Sequence, residues 1–137
     1  MRKQIDYEIL KYEPGIPLFQ DRNYTDSLNN EILTNSFLIR TKRHESGVLF
    51  VSAIKPIVIH RLIGLQNNNE EYFGWKLNQS RSWVKAKGLD HKFLVSKDLT
   101  QGTLELNIGG PFSSDPIFIT CADSQYDSPS KLFEINQ

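Results

Sequence analysis

Apolar and polar positions alternate with period two over several stretches of the chain. Leu104, Leu106 and Ile108 alternate with Thr103, Glu105 and Asn107, which sets one face to be buried and the other to meet water. Ile117, Ile119 and Cys121 repeat the pattern with Thr120 on the other face, and Phe133 and Ile135 flank Glu134 in the same way. The stretch from Gly47 to Ile54 is apolar on both faces, as a central strand would be. Ile57 to Ile59 follow Pro56, which marks a bend or a strand start because proline cannot donate to a ladder.

Turn chemistry separates these runs. Glu13-Pro14-Gly15, Asn67-Asn68-Asn69, Gly88-Leu89-Asp90, Gly109-Gly110-Pro111 and Asp127-Ser128-Pro129 each join residues that favour reversal of the backbone. Helical periodicity is scarce. Asp26 to Thr34 has the composition for one or two turns, with Asp26 or Ser27 as cap. The pattern predicts an all-β chain: a two-sheet antiparallel β-sandwich, jelly-roll-like, of about eight to ten strands with little helix. A length of 137 residues suits one domain over 1–137, large enough to bury a core without staples.

Charge narrows the partners. Sixteen basic residues balance sixteen acidic ones, so nucleic acid and an anionic membrane are not expected as partners, since both reward a basic excess. The one local exception is Lys42-Arg43-His44, which also reads as a solvated turn. The single cysteine excludes an internal disulfide. Met1-Arg2-Lys3-Gln4-Ile5-Asp6 lacks the apolar stretch of a signal peptide, and no window has the length of a membrane span. The expected location is the cytoplasm, or outside the cell if the chain is part of a longer secreted polypeptide.

Several phrases occur in a telling order. Phe19-Gln20-Asp21-Arg22-Asn23-Tyr24 is followed by Phe37-Leu38-Ile39-Arg40-Thr41, then by the pair Trp83-Val84. Lys97-Asp98-Leu99-Thr100-Gln101-Gly102 and Leu106 lead into Gly109-Gly110, and Ile117-Phe118-Ile119 closes the set. This order, over roughly residues 15 to 122, resembles the accessory, carbohydrate-binding-like β-sandwich modules appended to bacterial polysaccharide-degrading enzymes. The resemblance implies a non-catalytic, carbohydrate-directed module with a parent enzyme domain as neighbour. It departs from the pattern after Thr41, where Lys42, Arg43, His44 and Glu45 replace the small and acidic residues common in such modules. If that loop meets ligand, the departure implies either a reversed charge preference or lost binding.

The candidate ligand-binding residues are Trp75, Tyr72, Trp83, Arg22, Arg81 and Tyr24. Flat rings pack on the apolar face of a pyranose while polar neighbours reach its hydroxyls. On a strand Phe73 and Trp75 share one face and Tyr72 takes the other, so at most one of the two faces is exposed. The competing reading buries Phe73 and Trp75 in the core. Arg81, Trp83 and Lys85 would share a face suited to a uronate, and the competing reading makes Trp83 core. Arg22 offers a planar fork to hydroxyls or carboxylates. In the alternative, Asp21 and Arg22 hold their loop and Tyr24 plugs the sandwich edge.

The remaining chemistry is sparse. His44, His60 and His91 lack metal-ligand spacing, and His60 is expected to be half-buried. Cys121 reads as a small hydrophobe on a core-facing register. Asp115, Asp123, Asp127 and Glu45 are carboxylates without a recognisable catalytic setting. Asp123 and Asp127 with nearby carbonyls offer a structural calcium site, against a solvated turn as the plainer account; no other cofactor is expected. The function expected is non-catalytic binding of a poly- or oligosaccharide. The alternatives are a protein–protein or self-association module, including a homo-oligomer, and a small polysaccharide lyase or hydrolase.

Overall fold

Strand-forming stretches account for most of the chain. The computed structural model describes residues 4–25, 33–63, 75–77, 83–85, 91–108, 116–123 and 128–137, with the backbone alone at 22–25, 62–63, 77, 83–85 and 91–93. Among these residues twelve strands and one turn of helix follow in the order β1 (Glu8–Lys11), β2 (Pro17–Phe19), β3 (Arg22–Thr25), β4 (Phe37–Arg40), β5 (Gly47–Ala53), β6 (Ile57–Ile63), β7 (Lys76–Leu77), β8 (Trp83–Lys85), β9 (His91–Leu99), β10 (Gly102–Ile108), β11 (Ile117–Cys121), α1 (Pro129–Leu132) and β12 (Phe133–Asn136). All pairings are antiparallel.

Two sheets face one another. The larger has the order β1-β4-β11-β6-β9, and both β7 and β8 pair with β9. β7 pairs at Ser96 and Val95 and β8 at Phe93 to His91, so the two short strands occupy successive stretches of β9. The smaller sheet is β10-β5-β12, with β5 central as its apolar run predicts. A third element, the β2–β3 hairpin, lies apart from both sheets in pairing. The expected all-β sandwich is therefore present, its strands more numerous than eight to ten because the edges are broken into short pieces.

Turns fall where the sequence demands unusual backbone. Ile16 N–H donates to Glu13 O at 3.1 Å, with Pro14 and Gly15 between them and Gly15 at φ 92°. Proline then glycine at the two central positions is the preference of a type II turn. Gly102, at φ 83°, opens β10 three positions after β9 ends, and there the chain leaves one sheet for the other. Pro56 precedes β6, as its missing donor requires.

Side-chain alternation builds the core. Ile39, Ile59, Val95, Ile117 and Ile119 of the large sheet meet Leu49, Val51, Leu106, Ile108 and Phe133 of the small one in a single cluster. Phe37 and Phe133 touch between sheets, ring centroids 6.3 Å apart. Removing each such aliphatic side chain from water contributes roughly 1.5–3 kcal/mol.

The large sheet is also buried on its other face. Leu38, Leu94 and Phe118 point there and pack with Tyr12, Leu18, Phe19 and Leu33. Tyr12 meets Phe118 edge-on, centroids 5.1 Å apart. Phe118 therefore serves one core while its neighbours Ile117 and Ile119 serve the other. The outer layer is pinned by Arg40 of β4, whose Nε donates to Glu8 Oε1 at 2.6 Å and whose Nη1 donates to Pro17 O at 3.2 Å.

Residues 26–32 of the expected helix lie outside the described residues; Leu33 and Thr34 sit in a turn. The helical turn observed is α1, after Ser128, with proline in its first positions. It packs Leu132 into the core, and Leu132 O accepts from Ile54 N at 2.8 Å. At the far end of the chain the Gln137 amide clamps Ile5: its Oε1 accepts from Ile5 N at 2.5 Å and its Nε2 donates to Ile5 O at 2.9 Å.

Candidate functional site

Trp75 is not an exposed platform. Its side chain is 7% exposed and belongs to the inter-sheet core, which corrects the expectation that it stacks on a sugar. The physical reason is position: it lies directly before β7, on the inward face of the β9 edge. Trp83 lies on β8 opposite Phe93, and Arg22 and Tyr24 lie on β3; of these the backbone is described. Tyr72 and Arg81 lie outside the described residues.

Asp21 has a structural task. Its Oδ1 accepts from the backbone N–H of Arg43 at 2.9 Å, and Gln20 N–H donates to Thr41 O at 2.9 Å. The loop carrying Asp21 is thus bound to the Lys42-Arg43-His44 loop. The Arg43 guanidinium stands 6.0 Å from the Phe19 ring centroid. Glu45, one of the carboxylates considered for acid–base work, is buried and accepts from Ser46 N at 3.2 Å.

His60 is fully engaged. It is 3% exposed, deeper than the half-burial expected, with Ser96 Oγ 2.6 Å from Nδ1 and Thr120 Oγ1 2.9 Å from Nε2. The three residues come from adjacent strands β6, β9 and β11. A serine beside a histidine invites comparison with an activated nucleophile. Here both ring nitrogens are occupied by hydroxyls on rigid strands, and burial lowers the imidazole pKa to about 4. So weak a base is poorly suited to taking a proton at neutral pH. The arrangement satisfies buried polar atoms within the sheet.

Cys121 is half-buried against the core, and its Sγ donates to Asp123 Oδ1 at 2.8 Å. Asp127 lies outside the described residues. Among the described residues no group of three or more His, Cys, Asp or Glu is placed to hold a metal ion.

A different surface assembles ligand-type chemistry. Val48, Phe50 and Ser52 project from the outer face of β5 and are half-buried, whereas Leu49 and Val51 point inward. Thr103, Glu105 and Asn107 of β10 and Glu134 and Asn136 of β12 are exposed on the same face. The registers set Phe50 between Glu105 on one side and Asn136 on the other, Ser52 between Thr103 and Glu134, and Val48 beside Asn107. Ser52 Oγ and Thr103 Oγ1 are 2.7 Å apart. Among the described residues this face is a strip with an aromatic centre and carboxylate, amide and hydroxyl flanks. Comparison with protein-family models, curated proteins and solved structures gives no match.

Gly47 to Ile54 reads as apolar throughout, which hides Phe50 as a site residue. The outward register of Phe50 was nevertheless present in the chain: Glu105 and Glu134 mark the outer faces of the two strands that border β5.

Proposed function

We propose that this chain is a non-catalytic carbohydrate-binding module whose ligand lies along the outer face of β10-β5-β12. The observation that carries the reading is Phe50 held between Glu105 and Asn136 at the centre of a fixed polar strip. An aromatic ring offers a surface for the C–H face of a pyranose, and flanking carboxylates and amides supply acceptors and donors for its hydroxyls. Three-stranded support holds these groups at spacings that do not depend on loop closure, so little ordering cost falls on binding. The strip is shallow and wet, and affinity is expected on the order of micromolar to millimolar.

Native gels cast with a panel of neutral and acidic polysaccharides test the proposal, with calorimetry on any polysaccharide that retards the protein. Retardation by at least one polysaccharide, weakened about tenfold or more in Phe50→Ala with unchanged circular dichroism, is the expected result. Retardation unaffected by Phe50→Ala and Glu105→Ala would move the ligand off this face. A protein that no polysaccharide retards, and that runs as a dimer dispersed by Phe50→Asp, would make the same face a self-association surface instead.

A further inference from the structure

The strands β10, β5 and β12 are described over their whole length, and their outward side chains include two exposed carboxylates, Glu105 and Glu134, and no basic group. Glu105 stands directly opposite Phe50, and Glu134 stands opposite Ser52, two residues along β5 on the other side. Opposed side chains on paired strands have Cβ atoms about 5 Å apart, and diagonal ones about 7–8 Å, so both carboxylates lie within reach of a ring placed on Phe50. The basic run Lys42-Arg43-His44 precedes β5, yet its loop is tied to the hairpin layer beyond the large sheet. Arg43 N–H donates to Asp21, and the Arg43 guanidinium stands over Phe19. The strip therefore presents negative charge on both sides of its one aromatic ring, a field that draws cations and repels anions. Two-fold pairing with a second copy would set these carboxylates against one another, which like-charge repulsion disfavours.

We propose that the saccharide taken by this strip is cationic, a chain of amino sugars with free amines such as an oligomer of glucosamine. The sugar ring stacks on Phe50 while its ammonium groups meet Glu105 and Glu134, and the exposed amides of Asn107 and Asn136 serve its hydroxyls. Neutral glycans keep the stacking and lose the charge pairing, so they bind more weakly; chains bearing uronate or sulfate are repelled. N-acetylation removes the charge from an otherwise similar ring and discriminates most sharply. The amine selectivity rests on the carbohydrate reading of this same face.

Calorimetry on the full chain compares hexamers of glucosamine, N-acetylglucosamine, glucose and galacturonate, with a lysine hexapeptide as charge control, at low and high ionic strength. The glucosamine hexamer should bind about tenfold more tightly than its N-acetylated counterpart, with the gap narrowing in high salt. Glu105→Gln and Glu134→Gln should each weaken it about threefold, and about tenfold together, without changing the affinity for the glucose hexamer. Equal binding of the glucosamine and N-acetylglucosamine hexamers, lost in Phe50→Ala, would overturn the amine selectivity and leave the carbohydrate reading standing. A glucosamine preference that survives the double glutamine variant would overturn the roles of Glu105 and Glu134. Equal binding of the lysine peptide would reduce the effect to bare charge attraction and sink the amino-sugar assignment. Binding of none of the hexamers would remove both readings.

Discussion

The carboxylate of Asp21 accepts a hydrogen bond from the backbone N–H of Arg43 at 2.9 Å, across 22 residues of chain. One acidic side chain thereby fixes the loop that follows β4 against the loop that follows β2. Asp21→Ala should cost about 0.5–1.5 kcal/mol, the usual net worth of one such bond. Asp21→Asn keeps an oxygen acceptor and should lose less. Urea denaturation of the three proteins measures the order.

His60 predicts a pH dependence with a definite sign. Its pKa falls from 6.5 in the unfolded chain to about 4 in the fold, because burial disfavours the charged ring. Between those values the unfolded chain binds the extra proton, so stability is complete above pH 6.5 and declines as pH falls towards 4. The loss is about 3 kcal/mol at most, from roughly 1.4 kcal/mol per pKa unit. Urea midpoints at several pH values check this, and His60→Gln should flatten the slope.

Phe118 is fully buried and shares a T-shaped contact with Tyr12. Phe118→Ala should destabilise by about 3–5 kcal/mol, through lost transfer energy and a residual cavity. Phe118→Leu fills most of that space and should cost less. Calorimetric thermal unfolding separates the two.

Arg40 bonds both Glu8 and the Pro17 carbonyl from a partly exposed position. Glu8→Gln should cost about 0.2–1 kcal/mol, an effect that shrinks in high salt. Arg40→Lys should cost more than Glu8→Gln, because a single ammonium cannot hold both acceptors in the same geometry. Denaturation at low and high ionic strength tests both statements.

The strands were most legible where one face meets water. Leu104, Leu106 and Ile108 alternate cleanly because Glu105 and Asn107 face solvent, and β10 follows directly. β6 was read only to Ile59, since His60-Arg61 looks like a polar exit from a strand. In the fold both side chains are buried, His60 between two hydroxyls and Arg61 against Asn107 and Trp75. Cross-strand partners from β9, β10 and β11 make that burial tolerable, and no local pattern announces them. The second core was hidden for a similar reason: Phe118 looked like one residue of a single apolar strand, while its partners Tyr12, Leu18 and Leu33 are far away in sequence. The site was read least well. Tryptophan is the residue type that best suits ring stacking, yet Trp75 is core, and the half-buried ring on the outer face is Phe50.

The large sheet is the middle of three layers, and this gives the domain an order of opening. Among the described residues Leu18 and Phe19 of β2 pack into the cluster of Leu38, Leu94 and Phe118, whereas the two sheets hold each other through a separate and larger cluster. Partial unfolding can therefore peel the hairpin while the inter-sheet interior stays closed. The amides of Leu18 and Phe19 should exchange with deuterium sooner than those of Val51 or Ile59, and the intermediate would bare an apolar surface centred on Phe118, a transient adhesive patch rather than a collapsed chain.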